Sequence, residues 1–145
     1  MRVVFFRADS PFFSKALQIR KEVFVQEQGI PEEEEIDGRD PECEHVLLEE
    51  DGRPIGAARI RKIGDGIYKV ERVAVLREKR GKGFGSFMMK EIERKIIFEG
   101  GEKIVLNAQI HVKGFYERLG YKQVGEVFVE AGIPHVRMEK VVDGK

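Results

Sequence analysis

The sequence predicts an α/β fold of the α+β kind, a mixed central sheet flanked by helices. Three observations predict it. Phe84, Met88, Ile92 and Ile96 recur every four residues, with Phe87 broadening the stripe, as on one face of a mid-chain helix. Asp51-Gly52 separates two strand-like segments as a tight hairpin turn. Residues 103–110 (KIVLNAQI) alternate, with Ile104, Leu106, Ala108 and Ile110 on one face.

The elements follow in order. Residues 2–7 read as a first strand. Ser10-Pro11 reads as a helix start, a serine cap with proline at the first helical position. Ala16, Ile19 and Val23, widened by Leu17 and Phe24, form that helix's apolar stripe, and Gly29-Ile30-Pro31 ends it. Residues 31–44 (PEEEEIDGRDPECE) read as an acidic, solvated loop, or as a rim that attracts cationic amines. Residues 45–50, 54–63 and 67–76 form a three-strand meander. In the third strand Val73 and Val75 share a face while Val70 has the opposite parity; a one-residue bulge would turn all three inward. The central helix runs from near Gly83 to Gly100-Gly101. After the alternating strand come a short helix at about 112–119, stopped by Gly120, and strands at 121–129 and 135–142 around Ala131-Gly132-Ile133-Pro134.

A chain of 145 residues fits one domain, spanning 1–145, with one core. Hydrophobic residues make up 41% and charged residues 36%, the balance of a soluble globular protein. A formal net charge of +0 argues against a broad basic footprint for nucleic acid. No apolar run approaches the ~20 residues needed to span a bilayer, so no membrane association is expected. MRVVFFRADS is too short and too soon interrupted to be a signal peptide, so a cytoplasmic location is expected. The single Cys43 excludes an intrachain disulfide and a multi-cysteine zinc site, and no H-x-x-H spacing occurs, so no metal is expected. In the polar run DPECEH, Cys43 reads as an incidental loop cysteine.

The chemistry-bearing segment is Arg80-Gly81-Lys82-Gly83-Phe84-Gly85, placed between a strand and an amphipathic helix. Alternating glycines let backbone approach a ligand closely. The helix N-terminus that follows offers free N–H groups and partial positive charge to a phosphate or pyrophosphate. Lys79, Arg80 and Lys82 add charge. A tight turn with exposed basic residues would look similar, although three glycines exceed what one turn requires. The Gly-Lys-Ser/Thr ending of a Walker loop is absent, because Gly83 follows Lys82. A dinucleotide fingerprint would need glycine at Ser86 or Met88.

At this loop the sequence resembles the GNAT acetyltransferase superfamily, whose pattern Arg/Gln-x-x-Gly-x-Gly/Ala is met by Arg80, Gly83 and Gly85. ERVAV before it and FYERLGY after it are similar too, and the element order matches that family's acyl-CoA N-acyltransferase fold. The segments IRKEVFVQEQ, EIDGRD, LNAQIHVKGFYERLGY and EAGIPHVRM look closest to an ElaA-like and YjcF-like branch.

The resemblance implies acetyl-CoA as acyl donor and a small-molecule or peptide amine as acceptor. It implies that Arg80, Gly81, Lys82, Gly83, Phe84, Gly85 and Ser86 hold the pyrophosphate, and that Val73, Ala74 and Val75 pair with the pantetheine arm as an added strand would. Asn107, with Gln109, would line the cleft between splayed strands, or simply face solvent. Tyr116 matches the tyrosine that protonates the departing thiolate and would also touch the donor; otherwise it packs its ring in the core. Glu71 is a candidate base for the acceptor amine, with His111 and His135 as alternatives. Arg20, Phe24, Arg59 and His135 are candidate acceptor contacts. Arg20 lies on the edge of an apolar helix face, where a charge needs a partner; Asp37, Asp40 or a substrate carboxylate would serve. A homodimer is left open.

Two other readings compete. Arg20, Phe24, Asp37, Asp40 and Arg59 also resemble acyl-homoserine-lactone synthases, which use acyl carrier protein and S-adenosylmethionine. A non-catalytic CoA-binding module would keep the glycine loop without the acid and base.

Overall fold

A computed structural model describes residues 1–142. The strands are β1 (Arg2–Arg7), β2 (Glu44–Glu50), β3 (Arg53–Gly64), β4 (Ile67–Val75), β5 (Lys103–Gln109), β6 (Lys122–Glu130) and β7 (Ile133–Val141). They form one seven-stranded sheet in the order β1-β2-β3-β4-β5-β7-β6. Every neighbouring pair is antiparallel except β4–β5. A parallel pair needs a long crossover, and α3 (Phe84–Phe98) supplies it.

The sheet is covered on both faces. On one, Met88, Met89, Ile92 and Ile96 of α3 and Tyr116 of α4 (Lys113–Arg118) pack on Val46, Ile60, Val70, Ile104 and Leu106. The other cluster joins Ala16 and Ile19 of α1 (Phe13–Arg20), with Val23 and Phe24, to Leu47, Ala57, Ala74 and Leu76. The α3 stripe is the one the helical spacing predicts; on the first helix Ala16, Ile19, Val23 and Phe24 are buried as expected, whereas Leu17 is half-buried and outside the cluster.

The first helix differs from expectation at both ends. Ser10 caps a turn rather than the helix, its Oγ accepting from Phe12 N–H at 3.2 Å, and α1 begins at Phe13. Past Arg20 the chain widens into a π-helix over Lys21–Glu27. π-turns inside helices often occur at functional sites, and the apolar stripe does not distinguish them from α-turns.

The bulge inferred from Val70, Val73 and Val75 is present. Arg59 pairs with Glu71 and Ala57 with Ala74, so Arg72 and Val73 together oppose Ala58. Val70, Val73 and Val75 consequently all lie against the α3 side of the sheet. Arg72 carries φ +58°, a left-handed conformation uncommon outside glycine.

The acidic segment departs most from its expected form as a solvated loop. It contains α2 (Glu32–Glu35) and a short 3-10 turn at Asp40–Glu42. Glu35 and Asp40 are buried, whereas Glu32, Glu33 and Glu34 remain exposed. The reason is buried cationic partners from distant elements. Arg20 Nε lies 2.7 Å from Glu35 and its Nη1 2.9 Å from Asp40. Arg59 reaches Asp37 at 2.7 Å, Asp40 at 3.0 Å and Glu71 at 3.1 Å. Arg20 and Arg59 are fully buried, and burial on this scale is tolerated only because each guanidinium is paired.

Candidate active site

The site begins where β4 and β5 part. They pair only from Ile67/Lys103 to Lys69/Val105; beyond that the bulge turns β4 away and a cleft opens toward the C-terminal ends of both strands. On its β4 wall, Leu76 N–H bonds back to Ile55 O at 2.9 Å. Alternation of strand backbone groups therefore turns the Val75 carbonyl toward the cleft side, where Arg80 Nε donates to it at 2.9 Å. Val73 shares that direction.

The glycine loop closes the cleft's end. Gly81 and Gly83 adopt φ +74° and +84°, and a Cβ on either would meet no protein atom within 4 Å. These glycines are thus required by backbone conformation, and they leave open space above the loop. Gly85 serves packing instead: a Cβ there would sit 3.3 Å from the Phe115 ring of α4. Gly83 caps α3 without a side-chain hydrogen bond. The N–H groups of Phe84, Gly85 and Ser86 have no intrahelical acceptor and form a cradle suited to an anion. The Arg80 side chain is committed elsewhere, to the Val75 carbonyl and by two nitrogens to Glu27, so its contribution to an anion site is its backbone.

Tyr116 follows Phe115 on α4, edge-on to Phe115 at 5.0 Å and to Tyr121 at 5.8 Å between ring centroids. Its ring is buried in the α3-side core, and burial raises the pKa of its phenol. Its hydroxyl has no hydrogen-bond partner among the described residues, in contrast to Tyr121, whose hydroxyl donates to Glu93 at 2.7 Å. Tyr116 is thus a protonated, uncommitted donor.

The opposite face of β5 carries the polar groups. Asn107 Nδ2 donates to Glu130 at 3.4 Å, and Gln109 Nε2 donates to Gln28 at 2.9 Å. His135 pairs with Gln109 across β5–β7 and shares this face. Its Nδ1 lies 2.6 Å from the Ile133 carbonyl, a contact that requires a proton on Nδ1. Glu130 approaches its Nε2 at 3.6 Å, and Phe128 stacks on the ring.

The remaining candidates fall elsewhere. Glu71 is ion-paired to Arg59, Arg61 and Lys69 at 3.1, 3.2 and 3.3 Å. Burial works against its charge, but the Arg61 hydrogen bond and the three cations prevail and hold its pKa below the usual carboxylate range. A carboxylate held this way is ionised but weakly basic. His111 is exposed on the 3-10 turn Ile110–Val112. Arg20 and Arg59 have their donors taken by internal acids, with Asp37 bound to Arg59 rather than to Arg20. Phe24 is a buried member of the α1-side core, against which Ala131 and Ile133 of the β6–β7 turn also pack. Cys43 is buried, its Sγ 3.2 Å from the Arg39 carbonyl, and burial raises its pKa, the opposite of an activated nucleophile. Among the described residues no group of three or more His, Cys, Asp or Glu is placed to hold a metal ion, and no helix is long and apolar enough to cross a membrane.

Glu27, Gln28 and Glu130 also reach residues of the site. Glu27 and Gln28 lie inside the recognised segment IRKEVFVQEQ, but their partners Arg80 and Gln109 are 53 and 81 positions away, beyond any local pattern.

The model of the acetyltransferase (GNAT) domain family matches residues 15–142. The chain is 42% identical over 126 residues to the uncharacterized N-acetyltransferase YjcF of Bacillus subtilis, covering 86% of this chain and 89% of the relative. It is 35% identical over 131 residues to protein ElaA of Escherichia coli, covering 87% and 85%. The crystal structure of Escherichia coli ElaA superposes with a TM-score of 0.84 at 29% identity, over 96% of this chain and 98% of that one. An aminoglycoside 6'-N-acetyltransferase complexed with coenzyme A shares the fold, with a TM-score of 0.78 at 20% identity over 98% and 97% of the two chains.

Proposed function

The chain belongs to the GNAT acetyltransferase family, and from that premise we propose that it moves an acetyl group from acetyl-CoA to a primary amine by direct attack in a ternary complex. The observation that carries this reading is the unpaired stretch of β4 and β5 beyond Lys69/Val105, followed by a glycine loop that leads into the N-terminus of α3. Such a cleft accepts a pantetheine arm along Val73–Val75 and a pyrophosphate at residues 80–86.

The two faces of the sheet divide the chemistry. The amine enters from the π-helix side, past Asn107, Gln109 and His135, and attacks the thioester carbonyl held between the strands. His135 Nε2 takes the amine's proton; a ring held through Nδ1 by the Ile133 carbonyl, on the face shared with Asn107 and Gln109, suits this role better than the ion-paired Glu71 or the exposed His111. Tyr116, from the α4 side, donates a hydrogen bond to the thiolate as the C–S bond breaks. Its raised pKa makes it a hydrogen-bond donor first and a full proton donor only as the thiolate gains charge.

The resemblance to acyl-homoserine-lactone synthases rests on Arg20, Phe24, Asp37, Asp40 and Arg59. Phe24 packs in the α1-side core, and the four charged residues pair with one another and with Glu35 and Glu71, which is sufficient reason for their presence without a second substrate. A screen of amines, including polyamines, aminoglycosides and peptides, with detection of free CoA tests the proposal. Amine-dependent CoA release is expected. Binding of acetyl-CoA with no release across the panel would instead indicate a CoA-binding module.

A further inference from the structure

Arg72 is one of three non-glycine residues with positive φ among the described residues, with Asp51 and Ala131. Asp51 and Ala131 sit in hairpin turns, where such values are usual. Arg72 instead lies inside β4, at the bulge that opens the cleft. Its side chain crosses to the acidic segment. Nη2 donates to the carbonyls of Glu34 and Glu35, both at 3.3 Å, and to Asp37 Oδ2 at 3.4 Å. Nε lies 2.9 Å from Glu35 Oε2, although its N–H is not aligned for a hydrogen bond. A single guanidinium thereby holds the carbonyl end of α2, a helix of four residues that is too short to persist alone.

The chain of contacts continues beyond Arg72. Glu35 passes to Arg20, the last residue of α1, and the π-helix begins at the next position. That π-helix delivers Glu27 to Arg80 on the glycine loop, and Gln28 just beyond it reaches Gln109 on the cleft's other wall. Asp37 and Asp40 pass to Arg59, which meets Glu71 beside Arg72. The ring of contacts closes at the bulge.

We propose that Arg72 is a positioning residue whose guanidinium ties residues 32–42, and through Glu35 and Arg20 the start of the π-helix, to the β4 bulge, so that this segment is ordered only where the donor cleft is open. The proposal rests on the acetyl-transfer reading for what the segment does for the acceptor, but not for the tether itself.

Arg72→Gly separates backbone from side chain, because glycine adopts φ +58° freely while the guanidinium is lost. Hydrogen exchange read by mass spectrometry should show protection over residues 32–42 falling by about 10-fold or more, the equivalent of one lost hydrogen bond to a charged group. Acetyl-CoA affinity by calorimetry should stay within about twofold, because the bulge and the glycine loop remain. Arg72→Lys should restore part of the protection, since an ammonium keeps the charge but not the guanidinium's planar fork. With the amine identified by the panel, acceptor KM should rise while donor KM holds. Wild-type exchange over residues 32–42 in Arg72→Gly overturns the proposal. So does parallel loss of donor affinity and acceptor kinetics, which would make Arg72 a prop of the donor strand. If wild-type protein fails to bind acetyl-CoA, the functional reading falls while the exchange result still decides the tether.

Discussion

Glu27 and Arg80 clasp one another at the rim of the cleft, 53 positions apart in the chain, through two hydrogen bonds of 2.5 and 2.8 Å. The same guanidinium donates through Nε to the Val75 carbonyl. One side chain thus joins the π-helix, the β4 wall and the glycine loop. Because the pair is partly exposed, it should add less than about 1 kcal/mol to stability. It also places a carboxylate beside the helix N-terminus proposed to hold the pyrophosphate. Glu27→Gln should therefore leave the melting temperature nearly unchanged and raise acetyl-CoA affinity a few-fold, measured by calorimetry at low salt. Weaker binding would mean that the clasp's ordering of the loop outweighs its charge.

Gly83 tests the cradle itself. Gly83→Asp puts a carboxylate where the pyrophosphate is expected, on a backbone at φ +84°. Gly83→Ala supplies the control, since it imposes the backbone strain, about 1 kcal/mol, without the charge. Acetyl-CoA affinity should fall strongly in the Asp variant and only modestly in the Ala variant, with both folded by circular dichroism. Unchanged affinity in a folded Gly83→Asp protein would remove the loop from the donor site.

Tyr116 and His135 should affect turnover more than donor binding. Tyr116→Phe keeps the ring packed against Phe115 and Tyr121 and removes only the donor. Turnover should fall by ~10²–10⁴-fold, the usual range for general acid catalysis, with donor affinity retained. His135→Gln should lower kcat/KM for the amine while donor affinity is retained. Wild-type single-turnover rates in either variant would take that residue out of the mechanism.

Acidification should unfold the protein in two stages. His45 is buried between the rings of Phe6 and Phe13, and burial lowers its pKa. The folded state therefore refuses a proton that the unfolded chain accepts, and stability should fall as pH drops below ~6.5. Asp37 and Asp40 are also depressed. For Asp37 the main cause is the Arg59 hydrogen bond. For Asp40 burial opposes the shift, but the bonds to Arg20 and Arg59 prevail. Their stabilisation is present above ~3.9 and is lost as pH falls through their folded values. Glu35 has the opposite sign. Burial raises its pKa despite Arg72 and Arg20, so its contribution is lost as pH rises and partly offsets the aspartates near neutrality. Thermal melts from pH 7 to 3 should show both stages, and His45→Gln should flatten the first. A constant melting temperature between pH 7 and 5 would contradict the sign assigned to His45.

Much of the molecule was legible in the chain. The period-four run from Phe84 to Ile96 gave α3, Asp51-Gly52 gave the β2–β3 hairpin, and RGKGFG gave the loop whose Gly81 and Gly83 need positive φ. The opposed parity of Val70 and Val73 gave the bulge. Each of these features depends on residues a few positions apart, so torsional preference and side-chain periodicity suffice to encode it.

The charges behaved differently. PEEEEIDGRD has the composition of a solvated loop, and nothing within it shows that Glu35 and Asp40 are buried while Glu33 stays in water. That outcome depends on Arg20, Arg59 and Arg72, which lie 15 to 37 positions away on a helix and two different strands. The same holds for the weak basicity of Glu71, set by Arg59, Arg61 and Lys69, and for the orientation of the His135 ring, held by a backbone carbonyl in a hairpin. A charge is stable in a protein interior only where its partner is delivered to within hydrogen-bonding distance. The sequence by itself determined the elements and the glycine loop, and pointed to an acidic partner for Arg20; sheet packing decided which of the other charged groups were buried and which of them paired.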